Sequence, residues 1–314
     1  MAQPLIIGTR GSPLALWQAH WVQSLLAADD PKNKDRDFPI RTFITSGDTL
    51  KGDLKEFGGK GLFTKELEQA LIDGEIDLSV HSMKDVPTQH QAGLQISAVL
   101  PRADHRDAFI SEKYKSIDDL PQGALVGTAS IRRRAQLSAM RPDIKYTLLR
   151  GNVGTRLEKL SAGVCDATFL ACAGLKRLGQ DDVITEAVEI DRMLNAPAQG
   201  AVGVETRSDN APAIKALERL NDHATALAIA AERGFLEGLD GSCRTPIAAF
   251  ASLDDGSLKL RGEVLSLSGD ARYTGDIEAD LTDATAARDM GLTLAAQIRA
   301  QPRDFDSLFK DSAD

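Results

Sequence analysis

Apolar positions along this chain follow two periods, one of two residues and one near 3.6, and the period switches at short polar turns. Residues 5–8 form an apolar run ending in Gly8, the pattern of a buried strand. Ser12 and Pro13 then supply a helix N-cap and a first helical residue. Leu14, Leu16, Trp17, Trp21, Val22, Leu25 and Leu26 give a broad apolar face that carries the helix to Ala28. Residues 40–44 predict a second strand. Residues 46–61 are polar and rich in glycine (Gly47, Gly52, Gly58, Gly59, Gly61), which predicts a mobile lid. A Walker phosphate loop is excluded there, because Lys60 is followed by Gly61 and not by Ser or Thr. Leu62, Phe63, Leu67, Ala70 and Leu71 predict the inner side of a helix over 62–72.

Residues 76–80 alternate apolar and polar, as a strand leaving a core does, and run into His81-Ser82-Met83-Lys84-Asp85-Val86-Pro87. Pro87 bars a helical Val86 and fixes an extended exit. Ionisable side chains are thus gathered at a strand end, where open α/β sheets place ligands. Alone, the stretch reads equally as a solvated turn before a proline. A strand over 94–100 and a crossover at 101–104 follow. Strands at 125–127, 145–149 and 167–171 then each lead through a basic turn into a helix, a repetition that predicts parallel sheets covered on both faces. Residues 195–200 read as a second crossover and 201–205 as a strand returning to the first sheet. Two α/β lobes joined by two crossovers predict a hinged cleft. Helices over 211–220 and 223–239, alternating strands at 247–253, 257–267 and 273–279, and a helix over 285–300 make a small α+β domain. The expected domains are 1–100 with 199–218, then 101–198, then 219–314.

Composition changes this picture at three points. A net charge of −9 over 314 residues gives no overall basic footprint for nucleic acid. The absence of a charged leader or a long apolar run predicts a cytoplasmic chain with no membrane partner. Against the acidic background, Arg10, Lys84, Arg132, Arg133, Arg150, Arg156 and Arg177 stand at corresponding turns of the two lobes. One such arginine is an ordinary surface residue. Seven cations in corresponding places predict a ligand rich in carboxylates or phosphates. Cys165 and Cys172 flank an apolar strand and read as core thiols. Cys243 lies in a loop with Gly241, Ser242 and Pro246 beside Arg244, which favours an accessible thiolate and a covalent role. No His or Cys spacing suits a metal.

Together these runs resemble the porphobilinogen deaminase (hydroxymethylbilane synthase) family nearly end to end. The matching stretches are residues 9–18 (Thr-Arg-Gly-Ser-Pro-Leu-Ala-Leu-Trp-Gln), 58–63, 81–87, 150–156 and 173–179, with the Gly-Ser-Cys at 241–243. The resemblance implies two lobes like those of a periplasmic binding protein, doubly wound, with a third, smaller α+β domain. It implies a dipyrromethane cofactor joined to Cys243 by a thioether, and head-to-tail addition of four porphobilinogen molecules with loss of ammonia. By motif match, Asp85 is the catalytic carboxylate. Ser82, Lys84, Asp85, Thr128, Ser130, Arg132 and Arg133 hold the cofactor. Arg10, Ser12, Gln18, Lys60, Phe63, Arg150, Arg156 and Arg177 hold substrate and the growing chain. A cytoplasmic monomer acting on porphobilinogen is expected. The chain departs from the family pattern at Ser46, where some members are basic, at Ala198, where glycine is expected, and at Thr245. Two other classes fit parts of the pattern: a solute-binding module, and a pyridoxal-phosphate enzyme using Lys84.

Overall fold

A computed structural model of the chain describes residues 3–28, 36–49, 61–241, 245–302 and 305–309. The chain divides into two compact units, 1–103 with 201–226, and 104–200 with 227–314. In the first, strands β1 (Ile7–Arg10), β2 (Ile40–Phe43), β3 (Leu78–Ser82), β4 (Leu94–Val99) and β10 (Val202–Arg207) form one sheet in the order β2-β1-β3-β10-β4. Helix α1 (Pro13–Ala28) follows β1 directly. The amide of Ala15 donates to Ser12 Oγ at 3.3 Å, the cap that the sequence predicted. Ile7, Leu26, Leu78 and Val204 lie in the core of this unit.

The second unit repeats the plan. Strands β5 (Asp107–Ile110), β6 (Leu125–Gly127), β7 (Lys145–Thr147), β8 (Ala167–Ala171) and β9 (Glu186–Val188) take the order β7-β6-β8-β5-β9. Helices α4 (Ile131–Met140), α5 (Val153–Ser161) and α6 (Cys172–Arg177) connect them. Each sheet is mixed and not purely parallel. β10 runs antiparallel to β3 and β4, and β5 runs antiparallel to β8 and β9. The reason is topological. Only consecutive strands joined by a local helix are forced parallel, whereas β5 and β10 are the first strands reached after each crossover.

The same unit carries a three-stranded antiparallel sheet of β11 (Ile247–Asp254), β12 (Ser257–Leu265) and β13 (Arg272–Ala279). Helices α8 (His223–Gly238) and α9 (Ala284–Arg299) pack on its core of Phe235, Leu260, Leu294 and Ile298. The helices meet backbone to backbone: a Cβ at Gly291 would fall 2.1 Å from the Ala231 carbonyl oxygen. Two local expectations shift. β3 extends to Ser82 instead of ending at Val80, and the helix read from residue 62 starts at Lys65 as α3 (Lys65–Ile72). Among the described residues, no helix is long and apolar enough to cross a membrane.

Candidate active site

The first unit gathers one set of foreseen residues. Arg10 ends β1, Ser12 caps α1, Gln18 lies one turn and a half along it, and Ser82 ends β3. A short 3-10 turn, Met83–Asp85, follows, and Val86 is extended (φ −81°, ψ 127°) ahead of Pro87. This turn leaves Lys84 and Asp85 exposed while Met83 is buried. Arg10, Ser12, Gln18, Phe63, Ser82 and Asp85 line a single cavity of about 70 Å³, together with His81. Gln18 is wholly buried, and its amide donates to Ser82 Oγ at 2.9 Å, tying α1 to the exit of β3.

The cavity is covered by its own side chains. The Arg10 guanidinium lies over the Phe63 ring, 4.3 Å from the centroid, and pairs with Asp48 in helix α2 (Ser46–Thr49). Burial raises the Asp48 carboxyl, but hydrogen bonds from Arg10 and Thr45 outweigh that and hold it below its ordinary value. Thus a carboxylate already sits on the cation that the sequence analysis assigned to substrate. Residues 50–60, including Lys60 and most of the expected lid, lie outside the described residues, as does Cys243.

The second set lies in the second unit. Thr128 Oγ1 accepts from the Ser130 amide, and Ser130 Oγ accepts from the Arg133 amide, so these two residues shape and cap the start of α4. Arg132 and Arg133, in its first turn, are only 5% and 6% exposed. Both grip Asp107 at the start of β5: Arg132 Nη2 lies 2.8 Å from Oδ2 and Arg133 Nη2 2.7 Å from Oδ1. Gln199 Nε2 donates to the same carboxylate at 3.0 Å. Burial raises the Asp107 carboxyl, but the two guanidiniums outweigh it and hold it far below the usual range. Arg132 Nε is buried with no hydrogen-bond partner among the described residues.

Arg150 follows β7. Arg156 lies in the first turn of α5, capped by Asn152, and its Nε donates to the Gly151 carbonyl at 2.8 Å. Arg177 closes α6 and does not open it; it donates to the Gly200 carbonyl at 2.7 Å, and burial pulls its guanidinium down to about 10. Cys165 and Cys172 are buried, and burial pushes the Cys172 thiol up to about 11. A larger cavity, about 360 Å³, lies against β12 and β13 and holds none of the foreseen residues. Its arginines are already neutralised, Arg261 by Asp191 and Asp276, and Arg272 by Glu263.

Three residues that sequence reasoning passed over, Asp48, Asp107 and Glu205, proved to be the counter-charges of the foreseen cations and of His81. A signal existed for two of them: an acid inside the apolar strands Asp107-Ala-Phe-Ile and Val-Gly-Val-Glu205 must have a buried partner. For Asp48 there was none.

A family model described as "Porphobilinogen deaminase, dipyromethane cofactor binding domain" matches residues 5–215, and one described as "Porphobilinogen deaminase, C-terminal domain" matches 226–300. The chain belongs to the porphobilinogen deaminase family. It is 51% identical over 304 residues to the porphobilinogen deaminase of Paracoccus denitrificans, covering 96% of each chain. It is 47% identical to that of Syntrophomonas wolfei, covering 93% of this chain and 95% of the relative. Among solved structures, a double mutant of the VFT2 domain of Bordetella pertussis BvgS overlaps at TM-score 0.42 and 15% identity, over 70% of this chain and 85% of that one, a likeness too loose to bear on function. Porphobilinogen deaminases are transferases of tetrapyrrole biosynthesis. The chain is accordingly a hydroxymethylbilane synthase, which joins four porphobilinogen molecules head to tail with loss of ammonia on a dipyrromethane cofactor.

Proposed function

We propose that Asp85 carries the proton transfers of this reaction, while the cations of the two units hold the acetate and propionate arms of the pyrroles. The observation that carries the reading is the shared cavity, in which the Asp85 carboxylate stands with Arg10, Ser12, Gln18 and Ser82 at the exits of β1 and β3. Each incoming porphobilinogen must lose its aminomethyl nitrogen as ammonia, leaving a cationic pyrrole methylene for a free pyrrole α-carbon to attack. That α-carbon must then release a proton. An ionised carboxylate serves both needs, offsetting the cation and taking the proton. For Arg10 to receive a substrate carboxylate, it must first let go of Asp48, so entry exchanges one charge-assisted pair for another.

The residues present suit a carboxylate-rich dipyrrole. Lys84 is exposed beside Asp85, and the buried Arg132 Nε has an N–H in reserve. When bound, the dipyrromethane supplies the primer on which the product chain is built. Cys243 would hold it covalently, with Ser82, Lys84, Asp85, Thr128, Ser130, Arg132 and Arg133 around it. Lys60, Phe63, Arg150, Arg156 and Arg177 would serve the substrate and the lengthening chain. The reading includes three domains (1–100 with 199–218, 101–198, and 219–314) in a cytoplasmic monomer without membrane or nucleic-acid partners.

The test is single-turnover ammonia release from protein already loaded with cofactor. Asp85→Asn keeps shape but can neither take a proton nor offset charge, so release should slow by at least about 10²–10⁴-fold. Asp85→Glu should keep a small residue of activity. Near-normal release by Asp85→Asn would sink the assignment.

A further inference from the structure

The cavity of about 360 Å³ lies wholly within the second unit, and none of the roles assigned above uses it. One side of it is the outward face of the β12–β13 ladder. Side chains alternate across each strand, and the register sets Glu263 opposite Thr274 and Arg261 opposite Asp276, so these four share that face. Ile190 and Leu194 add apolar lining. Leu194 is fixed by α4: its carbonyl accepts from Arg132 Nη1 at 2.8 Å and from Gln136 Nε2 at 2.9 Å, and its amide donates to Gln136 Oε1 at 2.7 Å.

The charges that line the cavity do not cancel. Asp191, Glu263 and Asp276 stand against Arg261 and Arg272, which leaves a surplus of negative charge. Asp191 and Asp276 are exposed and share Arg261, so water already serves them. Glu263 is only 2% exposed. Its Oε2 accepts from Arg272 Nη2 at 2.7 Å, whereas Oε1 is buried with no hydrogen-bond partner among the described residues. Burial raises the Glu263 carboxyl, and Arg272, Arg132 and Arg261 together do not offset it. A buried carboxylate oxygen of this kind calls for a charged donor.

Among the described residues, no group of three His, Cys, Asp or Glu is placed to hold a metal ion. A primary ammonium suits the site better, because it brings one positive charge and three N–H donors. Free ammonium would leave Ile190 and Leu194 uncovered, whereas an alkyl stem would pack on them. Porphobilinogen carries two carboxylates to one ammonium, the wrong net charge for this lining.

We propose that this cavity binds a small primary alkylammonium ligand, its nitrogen donating to Glu263 Oε1 and its stem lying on Ile190 and Leu194. The site belongs to a different cavity from that of Asp85 and does not depend on the role given to that residue.

The experiment titrates butylammonium chloride against the holoenzyme at constant ionic strength, followed by saturation-transfer NMR, with tetramethylammonium and butyrate as controls. Butylammonium should saturate a single site. Tetramethylammonium has the charge but no N–H, and should bind about tenfold more weakly or worse. Butyrate should not bind. Glu263→Gln should weaken butylammonium by about tenfold or more, since Arg272 keeps the amide oxygen and turns the amide NH2 toward the ligand. Should Glu263→Gln fail to fold, Ile190→Lys decides. Ile190 is half-buried, so a lysine fits there and sets a tethered ammonium in the cavity, which should abolish binding. Equal binding of tetramethylammonium, binding of butyrate, undiminished binding by either variant, or no binding of butylammonium at all would each overturn the proposal.

Discussion

Ala198 occupies backbone space that suits glycine. Its φ is +63°, and it is buried at 1% exposure. For an L-residue the left-handed region is unfavourable by roughly 1–2 kcal/mol. The conformation is held from outside: the Ala198 amide donates to Glu232 Oε2, while Glu232 Oε1 accepts from the Ala251 amide at 2.7 Å. This is the position where the family pattern led us to expect glycine, and the φ value gives the physical reason. Ala198→Gly relieves the strain but gives up a buried methyl and frees the unfolded chain. It should therefore stay within about 1 kcal/mol of the wild type. Ala198→Val adds a β-branch where φ is positive and the site is full, and should destabilise by about 1–3 kcal/mol or more. Denaturant titration of the two variants separates these outcomes, and equal stability of Val and Gly at 198 would refute the argument.

At the scale of elements, α4 is anchored by charge as well as by its apolar side. Arg133 Nη1 donates to the Phe169 carbonyl of β8 at 2.7 Å, and Arg132 Nη1 to the Leu194 carbonyl at 2.8 Å. Asp107 binds both guanidiniums to β5. Removing one partner of such a group strands buried charge. Asp107→Asn should therefore lose about 3–5 kcal/mol at neutral pH. The pH dependence has a definite sign. The folded carboxyl is depressed below its ordinary value of 3.8, so its contribution is complete above that value and is lost as pH falls toward the folded one. The gap between wild type and Asp107→Asn should hold constant from neutrality down to mildly acidic pH and narrow only below the ordinary carboxyl range. Urea titrations across pH measure it; a gap that narrowed near neutrality would assign the effect to another group.

For the whole molecule, the decisive quantity is its mass. Cys165 and Cys172 are buried, and burial raises both thiols, so neither is a ready nucleophile. The proposed attachment point is therefore Cys243, in the loop sequence 241–246. The intact protein should be heavier than its sequence by one linked dipyrrole. Cys243→Ala should fold but remain unmodified and inactive, whereas Cys165→Ala should stay modified. An adduct mapped to Cys165 or Cys172 would overturn the attachment. The same measurement separates this reading from a bare solute-binding module and from a pyridoxal-phosphate enzyme on Lys84.

The sequence alone was enough for whatever is local. Strands such as β1, β11 and β12, the cap at Ser12, and the extended Val86 before Pro87 follow from side-chain chemistry and backbone sterics within a few residues. Arg10, Lys84, Asp85 and Arg150 were placed for the same reason, each at or just after a strand end, whereas Arg177 lies at the far end of α6. What the tertiary structure alone decided is the direction in which the strand after each crossover runs and which charges meet. The antiparallel entry of β5 and β10 is set by the whole path of the chain and leaves no mark in the local pattern. The pairs Arg10–Asp48, Arg133–Asp107 and His81–Glu205 join residues 38, 26 and 124 positions apart. A sequence shows that a buried acid needs a partner; only the packing of its strand against the others selects which one.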